Sequence, residues 1–279
     1  MNLIANGCSF TAGVPDDMDF LKFKEVYTNI ENFHSYGKVA ETSWPYQVPN
    51  VNAYNMGLGG SGNFRILRTM LSLLDTVSQD FIDDTVFVIQ WSSIFRNEYW
   101  NQHGIIFDVH DETSANSITP HTVTEPYSHD DDDRQIIDSD LITNVANYKF
   151  LAKTLSQNLY ESLCAIITLT HALQYRNAKF IYTSLQWNNL AIRDDFFLNP
   201  IPEDFELSPY HTALINMMPQ ENMIQSMFEF LHHLDPVDNL DNFNNRKYFI
   251  KNDGHPNSEG NKLFANYVTQ EMEKRNWLT

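Results

Sequence analysis

Two stretches at opposite ends of the chain carry residue types that together can transfer an acyl group. Near the start, Leu3-Ile4-Ala5 runs into Asn6-Gly7-Cys8-Ser9-Phe10-Thr11-Ala12-Gly13. An apolar run that stops at Asn-Gly and continues in small residues reads as a buried strand ending in a tight loop. In an open α/β sheet, ligands bind at such carboxyl ends of strands. A serine there becomes a nucleophile when a base takes its proton, so Ser9 is the candidate. Near the other end, Asn252-Asp253-Gly254-His255-Pro256-Asn257 leads into an amphipathic stretch. A neutral imidazole at His255, oriented by the carboxylate of Asp253, would relay that proton. The same residues also make ordinary turn and cap chemistry: Asp-Gly turns a chain, and Pro-Asn-Ser starts a helix.

A third stretch is rich in glycine. Asn55-Met56-Gly57-Leu58-Gly59-Gly60-Ser61-Gly62-Asn63 is a loop in which the backbone must approach something closely. A phosphate cradle is one reading, but no Gly-Lys-Ser/Thr follows and no full Gly-x-Gly-x-x-Gly fits. Further along, Gln90-Trp91-Ser92-Ser93 ends another apolar run, with Arg96 and Glu98 just beyond. Trp91 reads as core rather than as a platform for a sugar ring. Cys8, beside a strand end, reads as buried and inert rather than as a rival nucleophile.

In this order, the three blocks resemble the SGNH (GDSL-type) hydrolase family. That family carries its nucleophile in an N-terminal Gly-Asp-Ser loop, and Gly7-Cys8-Ser9 stands in its place. Asn55-x-Gly57-x-x-Gly60 matches the second block, whose last glycine, here Gly60, is implied to give its rigid backbone N–H to the oxyanion, and Asp253-Gly254-His255-Pro256 stands for the C-terminal Asp-His-Pro loop. Three departures stand out. Cys8 replaces the Asp, the Asp253-x-His255 spacing is one residue shorter than usual, and Ser93 falls where a donor Asn ends the third block, so the resemblance leaves Ser93, Asn63 and Arg96 as the candidates for that additional donor. The resemblance implies a serine esterase that hydrolyses a small acyl ester, such as O-acetyl groups on a carbohydrate, through an acyl-enzyme on Ser9. It implies no cofactor and no metal. Two alternatives stay open: an O-acyltransferase, since the shorter spacing also occurs in polysaccharide acetyltransferases of this fold, and a binding or structural module that keeps the fold without the chemistry. Bacteriophage-encoded members, some of them virion components, are similar in being acidic, aromatic-rich single domains.

The elements that must position these residues follow from periodicity. Strands are expected at Asn2–Ala5, Val51–Met56, Thr85–Gln90 and Ala178–Leu185, with an edge strand at Lys247–Ile250. Helices are expected near Pro45, over Phe64–Val77, Leu141–Gln174, Glu221–Leu234 and Ser258–Glu273. Asp16–Asn32 reads as either a helix or an aromatic-packing loop. Residues 92 to about 138 read as an insertion with a hairpin and an acidic tip at Asp130–Asp133, and about 190–219 as irregular. Strand and helix alternate, so the expected fold is a three-layer α/β/α sandwich of the flavodoxin-like kind, one domain over 1–279, with four to five mainly parallel strands.

Composition narrows the partners. With 36 acidic against 18 basic residues and a net charge of −18, the surface repels phosphates and anionic lipid, excluding nucleic acid and membrane as expected partners. No apolar run reaches the ~18 residues that span a bilayer, and no basic leader precedes Leu3, so a cytoplasmic or virion location is expected. Cys8 and Cys164 are expected to be free thiols. Histidines 103, 110, 121 and 129 near Asp130–Asp133 have metal-ligand chemistry but no ligand spacing, and read as a solvated loop.

Overall fold

The computed structural model describes residues 1–13, 41–57, 61–92, 94, 97–100, 106–109, 118–121, 155–184, 187–188, 191–192, 207–235, 246–250 and 255–278. The chain begins with β1 (Asn2–Asn6) and the single turn α1 (Ser9–Ala12), followed by α2 (Trp44–Gln47) and β2 (Asn52–Asn55). Next come α3 (Asn63–Thr76), α4 (Gln79–Asp83) and β3 (Thr85–Trp91). Three short strands, β4 (Asn97–Trp100), β5 (Ile106–Val109) and β6 (Ile118–His121), precede the long α5 (Leu155–Tyr175). The rest is β7 (Lys179–Ser184), β8 (Trp187–Asn188), β9 (Ala191–Ile192), α6 (Pro209–Asn216), α7 (Met227–Leu234) and α8 (Ser258–Lys274).

Four strands form one all-parallel sheet in the order β2-β1-β3-β7. Their side chains alternate between two cores, as the two-residue period requires. Ile4, Phe87, Ile89, Trp91, Phe180 and Tyr182 face the layer built by α3 and α5. Leu3, Ala5, Val86, Val88 and Ile181 face the opposite layer, which holds Trp44 of α2, Met227 and Leu231 of α7, and Phe264 and Val268 of α8. Helices cover both faces, and the fold is a three-layer α/β/α sandwich. Among the described residues, no helix is long and apolar enough to cross a membrane.

Several elements differ from expectation for local reasons. The helix expected from Glu221 begins only at Met227, where Ser226 caps it by accepting from the Glu229 N–H at 3.1 Å. The residues before it are drawn to the sheet: Met223 bridges Tyr182 in parallel, and Ile224 N donates to Tyr182 O at 2.8 Å. This contact occupies the place of a fifth strand beside β7. Lys247–Ile250 is not an edge strand of that sheet, for Phe249 pairs with Pro256 in a loop closed on itself. The stretch read as irregular holds α6, whose capping box joins Ser208 and His211. The insertion contains a three-stranded antiparallel sheet in the order β4-β5-β6 rather than a lone hairpin. Residues 141–154, Asp16–Asn32 and the acidic tip lie outside the described residues.

Candidate functional site

The chain leaves β1, adds β2 on one side, and returns to add β3 on the other. That reversal makes the carboxyl ends of β1 and β3 the topological switch point, where doubly wound sheets open a crevice for ligands. Ser9 begins α1 immediately beyond the end of β1.

The turn carrying Ser9 is anchored from three sides. Asn6 Oδ1 accepts from Gly7 N at 2.9 Å, while its Nδ2 donates to Thr69 Oγ1 on α3 at 2.8 Å. Thr11 Oγ1 donates to the buried Gln90 Oε1 of β3 at 2.7 Å. Cys8 O accepts from Thr11 N at 3.0 Å and Ala12 N at 2.9 Å, which closes α1. Gly7 has no room for a side chain, since a Cβ there would lie 2.9 Å from Gln90 O.

The loop after β2 rests directly on α1. A Cβ at Gly57 would lie 2.5 Å from Ala12 N and 2.9 Å from Thr11 C, so only glycine allows this approach. Asn55 ties the contact: Nδ2 donates to Thr11 O at 2.7 Å and Ser43 Oγ at 3.0 Å, and Oδ1 accepts from Gly57 N at 2.9 Å.

The C-terminal loop comes to the same place. Ile250 N donates to His255 O at 2.7 Å, and Asn257 N to Tyr248 O at 3.0 Å. Asn257 caps α8 by accepting from Gly260 N at 2.9 Å, and its Nδ2 donates to Lys247 O at 2.8 Å. Asn261 Oδ1 accepts from Trp44 N at 3.1 Å, and its Nδ2 donates to Pro256 O at 3.2 Å, which joins this loop to α2. With the backbone so held, the His255 ring lies 4.7 Å from the ring of Phe10, centroid to centroid, tilted by 37°. Phe10 directly follows Ser9, so chain ends separated by 245 residues meet at the switch point.

The other candidates divide. Asn63 is buried, and its amide is fully committed to structure. Oδ1 accepts from Ser92 N at 2.8 Å, and Nδ2 donates to Ser92 O at 3.3 Å and Ser162 Oγ at 3.1 Å. It holds the end of β3. Asp253, Gly60, Ser93 and Arg96 lie outside the described residues. Cys8 is fully buried, and both cysteines are free. Trp91 is core, 1% exposed, and packs edge-on against Tyr182 at 5.4 Å. Burial pushes the Tyr182 phenol up, against a weaker downward pull from its hydrogen bond with Thr170, so it stays neutral in that core. No cluster of three or more metal-ligating side chains occurs among the described residues.

Asn6, Thr11, Asn55 and Gln90 were not singled out by sequence reasoning. Asn55 stood inside a recognised motif, but its partners Thr11 and Ser43 lie outside it. The Thr11–Gln90 pair spans 79 residues and has no local signal. No protein-family model matches the chain, and no curated protein matches it at a significant level.

Proposed function

We propose that this protein is a serine esterase of the SGNH type, acting on a small acyl ester such as an O-acetylated carbohydrate. The observation that carries the reading is the packing of His255 on Phe10, beside Ser9, at the switch point of the sheet. Ser9 Oγ attacks the ester carbonyl carbon and gives its proton to His255, with Asp253 orienting the imidazole. The backbone N–H groups of Ser9 and Gly60 receive the oxyanion. Collapse breaks the bond to the alcohol, which leaves with the proton from His255. Water then attacks the acyl carbonyl, gives a proton to His255, and Ser9 departs with that proton restored.

The test pairs a chromogenic nitrophenyl acetate with fluorophosphonate labelling. Ser9→Ala and His255→Ala should each lower kcat/KM by at least about 10³-fold, and labelling should map to Ser9. Wild-type turnover that survives intact in Ser9→Ala would remove the mechanism. A folded wild type that neither turns over nor takes the label is a binding module on this fold.

A further inference from the structure

We propose that Asn55 is the positioning residue of this site, setting how far the glycine loop stands from the nucleophile's turn. The inference rests on the esterase reading above and concerns a residue with no part in the chemical steps.

One carboxamide joins three separate segments. Its Nδ2 protons go to Thr11 O in α1 and Ser43 Oγ ahead of α2, and its Oδ1 receives the Gly57 N–H. The orientation of the amide is dictated by its partners, because a peptide carbonyl only accepts and a peptide N–H only donates. No other side chain of this length offers both functions. Aspartate would keep the Gly57 contact and turn a second oxygen toward the Thr11 carbonyl. Alanine would leave the Thr11 carbonyl and the Gly57 N–H without this partner.

The clamp sits where its leverage is greatest. Gly57 lies against the backbone of Thr11 and Ala12, with no space for a methyl group. The loop toward Gly60 starts from that point, and Ser9 opens the turn on the other side of it. Asn55 therefore fixes where the glycine loop leaves the turn that Ser9 opens. A group held to the transition state alone governs kcat, whereas KM follows ground-state binding. A misplacement of about 1 Å costs on the order of 10²-fold in rate.

Asn55→Ala should lower kcat toward the chromogenic acetate by about 10²-fold with KM changed less than about threefold. Asn55→Asp should fall almost as far, and Ser43→Ala, which spares the Thr11 bond, by less than about fivefold. Gln79→Ala is the control: it breaks the contacts of Gln79 with Arg176 and Asp83, beyond the amino end of β3, and should lower Tm without lowering kcat. Hydrogen exchange gives a second readout independent of turnover. In Asn55→Ala, amides of residues 57–62 should exchange at least about tenfold faster, while those of β7 should not change. Unchanged exchange at 57–62 overturns the clamp, whether or not the wild type is active. Faster exchange with unchanged kcat, or a loss confined to KM, overturns the positioning role. If Asn55→Ala does not fold, Asn55→Asp carries the same comparisons. A wild type that is neither active nor labelled at Ser9 refutes the esterase reading itself, and the positioning role falls with it.

Discussion

Replacing Gly7 with alanine should destabilise the protein by about 1–5 kcal/mol, and removing the Thr11 side chain should take part of that cost away. Gly7 needs no left-handed backbone; in the described chain, the glycine with positive φ is Gly13, at 79°. The cost is therefore steric. A β-carbon at Gly7 would lie 2.2 Å from Thr11 Oγ1, 2.9 Å from Gln90 O and 3.0 Å from Gln90 Cβ. Two of these neighbours belong to β3 and cannot withdraw without opening the β1–β3 pairing, an overpacking worth about 1–3 kcal/mol. The third can rotate away only by giving up its 2.7 Å bond to Gln90 Oε1. That leaves a buried acceptor unmet, at about 1–3 kcal/mol. The methyl group returns about 0.4–1 kcal/mol by restricting the unfolded chain.

The assay is urea denaturation of wild type, Gly7→Ala, Thr11→Ala and the double variant, compared at equal m-value. Thr11→Ala alone loses the Gln90 bond. In the double variant the methyl group enters space the hydroxyl has left, so its cost should fall short of the sum of the singles by about 0.5–3 kcal/mol. Additivity within about 0.3–0.5 kcal/mol would refute this account of how Gly7, Thr11 and Gln90 pack.

Two further outcomes follow from the same structure. Asn63→Ala strips the buried Ser92 N–H and carbonyl of their side-chain partner; at about 1–3 kcal/mol for an unmet buried group and about 2–4 °C per kcal/mol, Tm should fall by several degrees, and an unchanged Tm would show that the clamp on β3 is dispensable. Burial pushes the Glu271 carboxyl up, but its hydrogen bonds and ion pairs with Lys274 at 2.5 Å and Arg275 at 2.6 Å outweigh that and hold it below its ordinary value. A depressed carboxyl stabilises the fold above its unfolded value of about 4.3, and the contribution is lost as pH falls through the folded value. Glu271→Gln should therefore be less stable than wild type at neutral pH, by about 1 kcal/mol for a half-buried carboxylate at the surface whose Lys274 partner is exposed, with the gap closing on acidification; a gap that widens toward low pH would reverse the sign of the argument.

Local pattern carried much of the fold. The apolar runs of β1, β3 and β7 and the helical spacing of α3 and α8 are visible in the chain, because each element buries its side chains at its own period. The glycine-rich second block was legible too as a place of close backbone approach. Elements whose identity depends on distant partners were not legible. Met223 and Ile224 look helical in isolation, yet pair with Tyr182, 41 and 42 residues away in the chain, because the β7 edge offers unmet backbone groups. Pro209–Asn216 shows little apolar period, and its capping box and packing against α5 decide it.

By itself the sequence determined the alternation of strand and helix, a glycine-rich loop of close backbone approach, and the residue types placed at each end. Only the tertiary structure decided that the Phe10 and His255 rings touch and that the Asn63 amide is hydrogen-bonded to the end of β3. It also decided that Asn55 bridges three segments. The physical reason is range. Backbone sterics and side-chain period act over a few residues and are written locally, whereas a buried amide finds its donors and acceptors among whatever segments the completed sheet brings within about 3 Å.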